Sequence, residues 1–353
     1  MTSVRIFAAL YVLIYHFWGD SPLAPQAHWY DSWRNGGYLG VSLFFVLSGF
    51  ILAYNAPVKT QFRRFYALRF ARVYPLYLAA LLWALPNYLR HAALRPSGAQ
   101  RWVALPATVL LLQTWFGPYI AVQINSPGWS LCDEAFFYAL FPVVLPMIIA
   151  QMPRWRMLLA ALAVLAILPS TVVHLWVWHH GAAILTDGQA QFVGLPLFRL
   201  PEFLTGVVLG RLFLIRMPHT TTLQVAASTA LSVACILIHG HLPFDVVRSG
   251  LLALPLGWML YSLAGWRSRF LGSKTMQLLG EMSYGVYLLQ LPLLFTVNQL
   301  RLPRWQMDLF VSILILPLSY VSYRFIEKAG RLVVLRWLGI RSHPNPIEIA
   351  VPA

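Results

Sequence analysis

The sequence predicts an all-α polytopic membrane protein of about ten transmembrane helices plus one re-entrant or interfacial segment. Three observations predict it. Apolar segments near span length recur from end to end of the 353-residue chain. Its residues are 59% hydrophobic and only 10% charged, where a soluble domain carries about a quarter charged. The apolar runs are long and continuous rather than alternating, which argues against a transmembrane barrel.

The candidate segments fall at 3–18, 37–55, 66–89, 101–117, 128–149, 157–178, 193–215, 222–240, 247–265, 277–297 and 306–325. No small-residue cleavage site follows the first run, so it is expected to stay as the first span. Loop charge sets the orientation. Lys59, Arg63 and Arg64 follow the second segment, Arg154 and Arg156 the fifth, and Arg216 the seventh. Arg267, Arg269 and Lys274 follow the ninth, and Lys328, Arg331, Arg336 and Arg341 the last. For all of these to face the cytoplasm, 101–117 must not be a simple span. It is short and punctuated by Arg101, Pro106 and Pro118. Both termini are then inside, and 326–340 reads as a basic amphipathic segment on the inner surface. The loops are short, so 1–341 is expected to be one transmembrane domain and 342–353 a short tail.

The net charge of +15, from 26 Lys+Arg against 11 Asp+Glu, would point to nucleic acid in a soluble protein. Here it reports basic loops and headgroup contacts, with membrane lipids as partners and no nucleic acid, and it could also hold an anionic cofactor. Cys132 and Cys235 both sit in apolar runs and form neither a disulfide framework nor a metal spacing. His179, His180, His239 and His241 fall in outer loops without acidic or thiol partners, so no metal is expected.

Arg5 and His16 are the only basic side chains of the first span, which has no acidic one. Their spacing of eleven residues is roughly 1100° of rotation, about three turns, so they share one face on the order of 16 Å apart. Two costly groups on one stripe call for partners. End anchoring by Arg5 and snorkelling by His16 account for the pair equally well. Arg69 and Arg72 lie three apart on one helix face, a pair of planar forks suited to phosphate or to inner-surface anchoring. Ser48 and Gly49 sit between aromatics in Phe44–Phe50, where small residues permit close packing. Trp129-Ser130-Leu131-Cys132-Asp133-Glu134 opens the fifth segment. Asp133 reads as a helix-start carboxylate favoured by the dipole. Glu134 lies deeper and is expensive unless paired. Arg199 and Glu202, at spacing three, most simply pair with each other. Depth places Arg5, Arg69 and Arg72 on the inner side, and His16, Glu134, Arg199 and Glu202 toward the outer side. Ser283-Tyr284, Tyr287 to Gln290 and Ser319 to Glu327 read as structural.

Together these segments resemble the integral-membrane acyltransferase-3 family. Arg5 with His16 matches its first-span basic residue and histidine. Phe44–Phe50 matches its Phe-Phe-x-x-Ser-Gly-Phe element, and Arg69 with Arg72 its Arg-x-x-Arg. Trp129-Ser130-Leu131 with Glu134, Arg199 with Glu202-Phe203, Ser283-Tyr284 with Tyr287-Leu288, and Tyr323–Glu327 match the later elements. There are departures: Gln290 stands where the family often has His, Ala329 where it usually has Pro, and the stretch before Arg5 is short.

The resemblance implies an O-acyltransferase of the bacterial inner membrane that transfers acyl groups to extracytoplasmic glycans. Acetyl-CoA is the expected donor, with Arg5, Arg69 and Arg72 holding it. His16 would serve as general base or transient acyl carrier, with Glu134 orienting it. Ser48, Trp129, Arg199 and Glu202 are the expected substrate contacts, and the acceptor is a glycan or lipid-linked sugar. A lipid, a macrolide or another small molecule is the alternative acceptor. A transporter or flippase is the alternative of a different class, against which the lack of an internal repeat and of a midplane ion site counts.

Overall fold

A computed structural model describes residues 1–19, 24–25, 27–57, 61–90, 100–180, 194–238 and 250–340. The described residues form helices and turns, with no strand. Residues 342–353, His239, His241, Lys59 and Arg341 lie outside them.

Helix α1 (Val4–Phe17) is an unbroken apolar run that buries Ile6, Ala9, Val12, Leu13 and Phe17. Helix α2 (His28–Asn35) turns through Gly36–Tyr38 into α3 (Leu39–Asn55), which is buried along most of its length. Helix α4 (Phe62–Arg90) has 29 residues and contains Pro75 and Pro86. Helices α5 (Gln100–Val109) and α6 (Pro118–Ala121) are short, and α7 (Trp129–Gln151) follows a tight turn at Ser126–Gly128. Helix α8 (Trp155–His180) continues from α7 through Met152–Arg154. Then come α9 (Pro196–Arg216), α10 (Thr222–Ile238), α11 (Ala253–Gly265) and α12 (Lys274–Val297). Helix α13 (Arg304–Ser322) passes through a π turn at Tyr323–Glu327 into α14 (Lys328–Trp337).

Local sequence sets several of these ends. Pro196 occupies the first turn of α9, where a missing N–H costs nothing. Before α10, Thr221 and Gln224 bond reciprocally, side chain to backbone N–H, at 2.9 and 3.2 Å. Ser273 caps α12 by accepting from the Met276 N–H at 3.3 Å.

The tightest seam runs between α3 and α9. A Cβ added at Gly49 would overlap the Phe203 carbonyl, and one at Gly206 the Val46 carbonyl. Small residues let membrane helices approach to backbone contact, gaining dispersion where no hydrophobic drive exists. Helix α1 packs on α12 and α3.

Among the described residues, five helical stretches are long and apolar enough to cross a membrane: His28–Asn55, Phe62–Arg90, Ser126–Leu168, Lys274–Leu300 and Arg304–Trp337. The ten spans expected from the sequence are not found as ten long apolar helices among the described residues. Two expected segments run together within Ser126–Leu168. Helices α1 and α10 are apolar but shorter. Helix α9 carries Arg199, Glu202, Arg211 and Arg216.

The 101–117 segment is not one helix. Helix α5 has 10 residues and so rises about 15 Å, half of the roughly 30 Å hydrocarbon core. Leu111 then turns left-handed at φ 57°, and a 3-10 turn occupies Gln113–Phe116. Gln113 is buried and donates to the Gly128 carbonyl at 2.8 Å, while the Tyr77 hydroxyl donates to Thr108 O at 2.6 Å. The stretch thus folds into the bundle beside α4 and α7. Cysteines placed at Ser97, outside the described residues, and at Tyr119 should react with impermeant reagent from the same outer face. Reaction from opposite faces would make this segment a span.

Within 326–340, expected as a basic amphipathic segment on the inner surface, helix α14 docks one side on the bundle. It packs against α4, with Leu335 buried and Gly330 against Pro75. Gly330 clears the space for that approach, since a Cβ there would come within 2.6 Å of Pro75 Cβ.

Candidate active site

Four guanidinium groups converge from three helices. Helix α1 supplies Arg5, α4 supplies Arg69 and Arg72, and α14 supplies Arg331. Arg5 lies within electrostatic reach of Arg69 and Arg72, as does Arg331. Such a cluster repels itself and needs anions. Glu134 of α7 lies within reach of Arg5 and Arg72, and Glu327 of the π turn within reach of Arg72. Glu134 Oε2 accepts from the Tyr138 hydroxyl at 2.9 Å, and that hydroxyl lies 3.2 Å from Ser48 Oγ. The Tyr284 hydroxyl, from α12, donates to Val73 O at 2.8 Å beside Arg72. Glu281 accepts from the Tyr323 hydroxyl, which ties the π turn to α12.

Arg69 Nε is buried and has no hydrogen-bond partner among the described residues. Its guanidinium lies 5.8 Å from the centre of the Phe65 ring. A buried N–H left open within a group of guanidiniums is a donor that an anionic ligand would satisfy.

His16 stands about three turns up α1 from Arg5. It is half-buried, and its Nδ1 lies 3.2 Å from Gln290 Oε1 on α12. The Tyr15 ring flanks it at 5.3 Å. The structure does not bring Glu134 to His16. The carboxylate sits with the arginines, at the opposite end of the α1 stripe. The depth expected for Glu134 assumed that α7 starts at the outer membrane face. Its start is instead held inside the bundle by the 113–128 turns, through Gln113 on Gly128 and Asn125 Nδ2 on Leu288 O at 3.1 Å.

Arg199 and Glu202 form a third centre, 3.1 Å apart and fully buried. Arg199 also donates to Ser42 Oγ at 3.1 Å and lies over the Phe45 and Trp129 rings at 5.3 and 5.9 Å. The pair spans α3, α7 and α9, and Trp129 is one wall of it. Asp133 belongs here too. It is completely buried, within reach of Arg199 and Glu202. The expectation of a helix-start carboxylate for Asp133 is overturned. Successive residues on a helix diverge by about 100°, so Asp133 turns toward α9 while Glu134 turns toward α1 and α4. Among the described residues no three His, Cys, Asp or Glu side chains gather as a metal site.

The model of the acyltransferase-3 family, described as an acyltransferase domain, matches residues 1–324. The chain belongs to the acyltransferase-3 family.

Relatives agree with that membership. The chain is 26% identical over 388 aligned positions to a putative peptidoglycan O-acetyltransferase YrhL of Bacillus subtilis, covering 99% of this chain and 56% of the relative. It is 24% identical over 363 positions to the peptidoglycan O-acetyltransferase OatA of Listeria monocytogenes, covering 92% and 54%. Over 149 positions it is 36% identical to the acyltransferase MdmB of Streptomyces mycarofaciens, covering 40% and 38%. The chain thus spans about half the length, or less, of these curated relatives. No solved structure matches.

Within this acyltransferase-3 chain, sequence reasoning missed Tyr138, Arg331 and Gln290 as parts of a site. Tyr138 lies one helical turn beyond Glu134, and that spacing was a usable signal. Arg331 carried none, because a basic residue in a terminal segment looks like any inner-surface anchor. Tyr284 and Glu327 were read as structural; the structure sets Glu327 within reach of Arg72 and bonds Tyr284 to the backbone of the adjoining Val73.

Proposed function

We propose that the protein is a membrane O-acyltransferase that moves an acetyl group from acetyl-CoA to a hydroxyl of an extracytoplasmic polysaccharide or glycolipid. The observation that carries this is helix α1, which joins the arginine cluster at Arg5 to a half-buried histidine about 16 Å away. A nucleotide carries its phosphates at one end and, through a flexible arm, its thioester at the other. Arg5, Arg69, Arg72 and Arg331 hold the phosphates, with the open Arg69 Nε as one donor. The thioester then reaches toward His16.

In the transfer His16 takes the proton of the acceptor hydroxyl as its oxygen attacks the thioester carbonyl. The C–O bond forms, the C–S bond breaks, and the proton ends on the departing thiolate. Glu134, Tyr138 and Ser48 set the charge balance and shape of the donor end. Arg199 and Glu202, with Trp129, brace the seam that lines the acceptor path. Two relatives named for peptidoglycan O-acetylation favour a polysaccharide acceptor. The basic loop segments support cytoplasmic termini in this reading, with the protein in the bacterial inner membrane.

Purified protein should form ester product from thioester donor and oligosaccharide, which a transporter would not. Arg69→Ala and Arg72→Ala should each raise the donor KM by roughly 10–100-fold, matching about 1.5–3 kcal/mol for a charged hydrogen bond. The acceptor KM should stay near wild type. Lys at either position should rescue only partly, because an ammonium lacks the planar fork. An unchanged donor KM in both Ala variants would return these arginines to anchoring.

A further inference from the structure

Gln290 is completely buried in α12 and makes two hydrogen bonds. Its Nε2 donates to the backbone carbonyl of Tyr287 at 2.7 Å. Its Oε1 lies 3.2 Å from His16 Nδ1. The amide has one workable orientation. Turned over, it would set Oε1 against the Tyr287 carbonyl oxygen, acceptor against acceptor. A backbone group therefore fixes which end faces the histidine.

An amide oxygen only accepts, so the shared hydrogen sits on His16 Nδ1. In the neutral ring that leaves the lone pair on Nε2. Among the described residues Nε2 makes no hydrogen bond, and the ring is only half-buried. The turn that carries Gln290 is itself held. The Tyr287 hydroxyl lies 2.8 Å from Ser130 Oγ and donates to Pro127 O at 3.0 Å, and Asn125 donates to Leu288 O at 3.1 Å.

We infer that Gln290 is a positioning residue that locks His16 as the Nδ1–H tautomer and presents Nε2 to the acceptor hydroxyl. The inference rests on the proposed role of His16 as base. The amide orients the ring without adding a charge, which is what separates it from an acidic orienter. A histidine base held in the wrong tautomer loses on the order of 10⁴ in rate in a serine protease, so the tautomer alone carries a large share of such catalysis.

The test uses the full chain in lipid nanodiscs with 15N-histidine. Ten histidines are present, and the His16 signal is the one absent from His16→Ala. At a pH where the ring is neutral, wild-type His16 should show the Nδ1–H pattern of nitrogen shifts. Gln290→Leu should lose that pattern and about 10²-fold in kcat, with donor KM unchanged. Gln290→Glu keeps an acceptor in place and should restore the pattern and part of the rate. A wild-type Nε2–H pattern overturns the inference, and so does a Leu variant with tautomer and kcat intact. If the Leu variant does not accumulate, the wild-type spectrum still decides. Should His16→Ala keep normal turnover while wild type shows Nδ1–H, the catalytic role of His16 falls and its orientation by Gln290 stands.

Discussion

His16→Ala should lower acyl transfer by roughly 10²–10⁴-fold, the usual contribution of a positioned general acid–base, while leaving the protein folded. The fold has little to lose at this position. The ring is half-buried, and among the described residues its one hydrogen bond is to Gln290. Helix α1 is held by Ile6, Ala9, Val12, Leu13 and Phe17, all of which remain. Alanine is also the best helix former, so the backbone of α1 is not penalised. Membrane level and thermal unfolding in detergent should therefore match wild type, with the loss confined to turnover at saturating donor. A variant that turns over normally would remove His16 from the mechanism and leave it a snorkelling residue at the end of its span.

Gly206→Ala should have the largest effect on stability. Its methyl would be placed on the Val46 carbonyl, a backbone atom that cannot swing away. Helices α3 and α9 would have to part along their whole seam, costing at least the ~3 kcal/mol at the upper end of ordinary overpacking. The damage would spread to Arg199 and Glu202, whose contacts with Ser42 and Phe45 span the same pair of helices. Gly49→Ala, from the facing helix, should behave alike, since its methyl would meet the Phe203 carbonyl. Gly194→Ala meets nothing among the described residues and serves as the neutral control. The readouts are the monodisperse fraction after detergent extraction and the Tm. Wild-type values for both seam variants would mean that α3 and α9 do not approach to backbone contact.

The sequence by itself determined the helical membrane class, the family, and the residues that share one helix face. Composition and run length report the solvent a segment prefers, and spacing along a single helix fixes its faces through the 3.6-residue period. Arg5 with His16 and Arg69 with Arg72 were legible for that reason, and so was the mutual pairing of Arg199 with Glu202. The number of long apolar helices was not legible, because helix ends and turns such as Leu110–Leu112 are set by neighbours. Only the tertiary structure decided which faces meet. It carried Glu134 to the arginines instead of to His16, turned Asp133 onto Arg199, and docked α14 so that Arg331 joined Arg69 and Arg72. It also set Gln290 against His16, 274 residues apart in sequence. Membrane helices are matched by close packing and polar pairing between surfaces that are all apolar, so hydropathy does not encode which helix adjoins which.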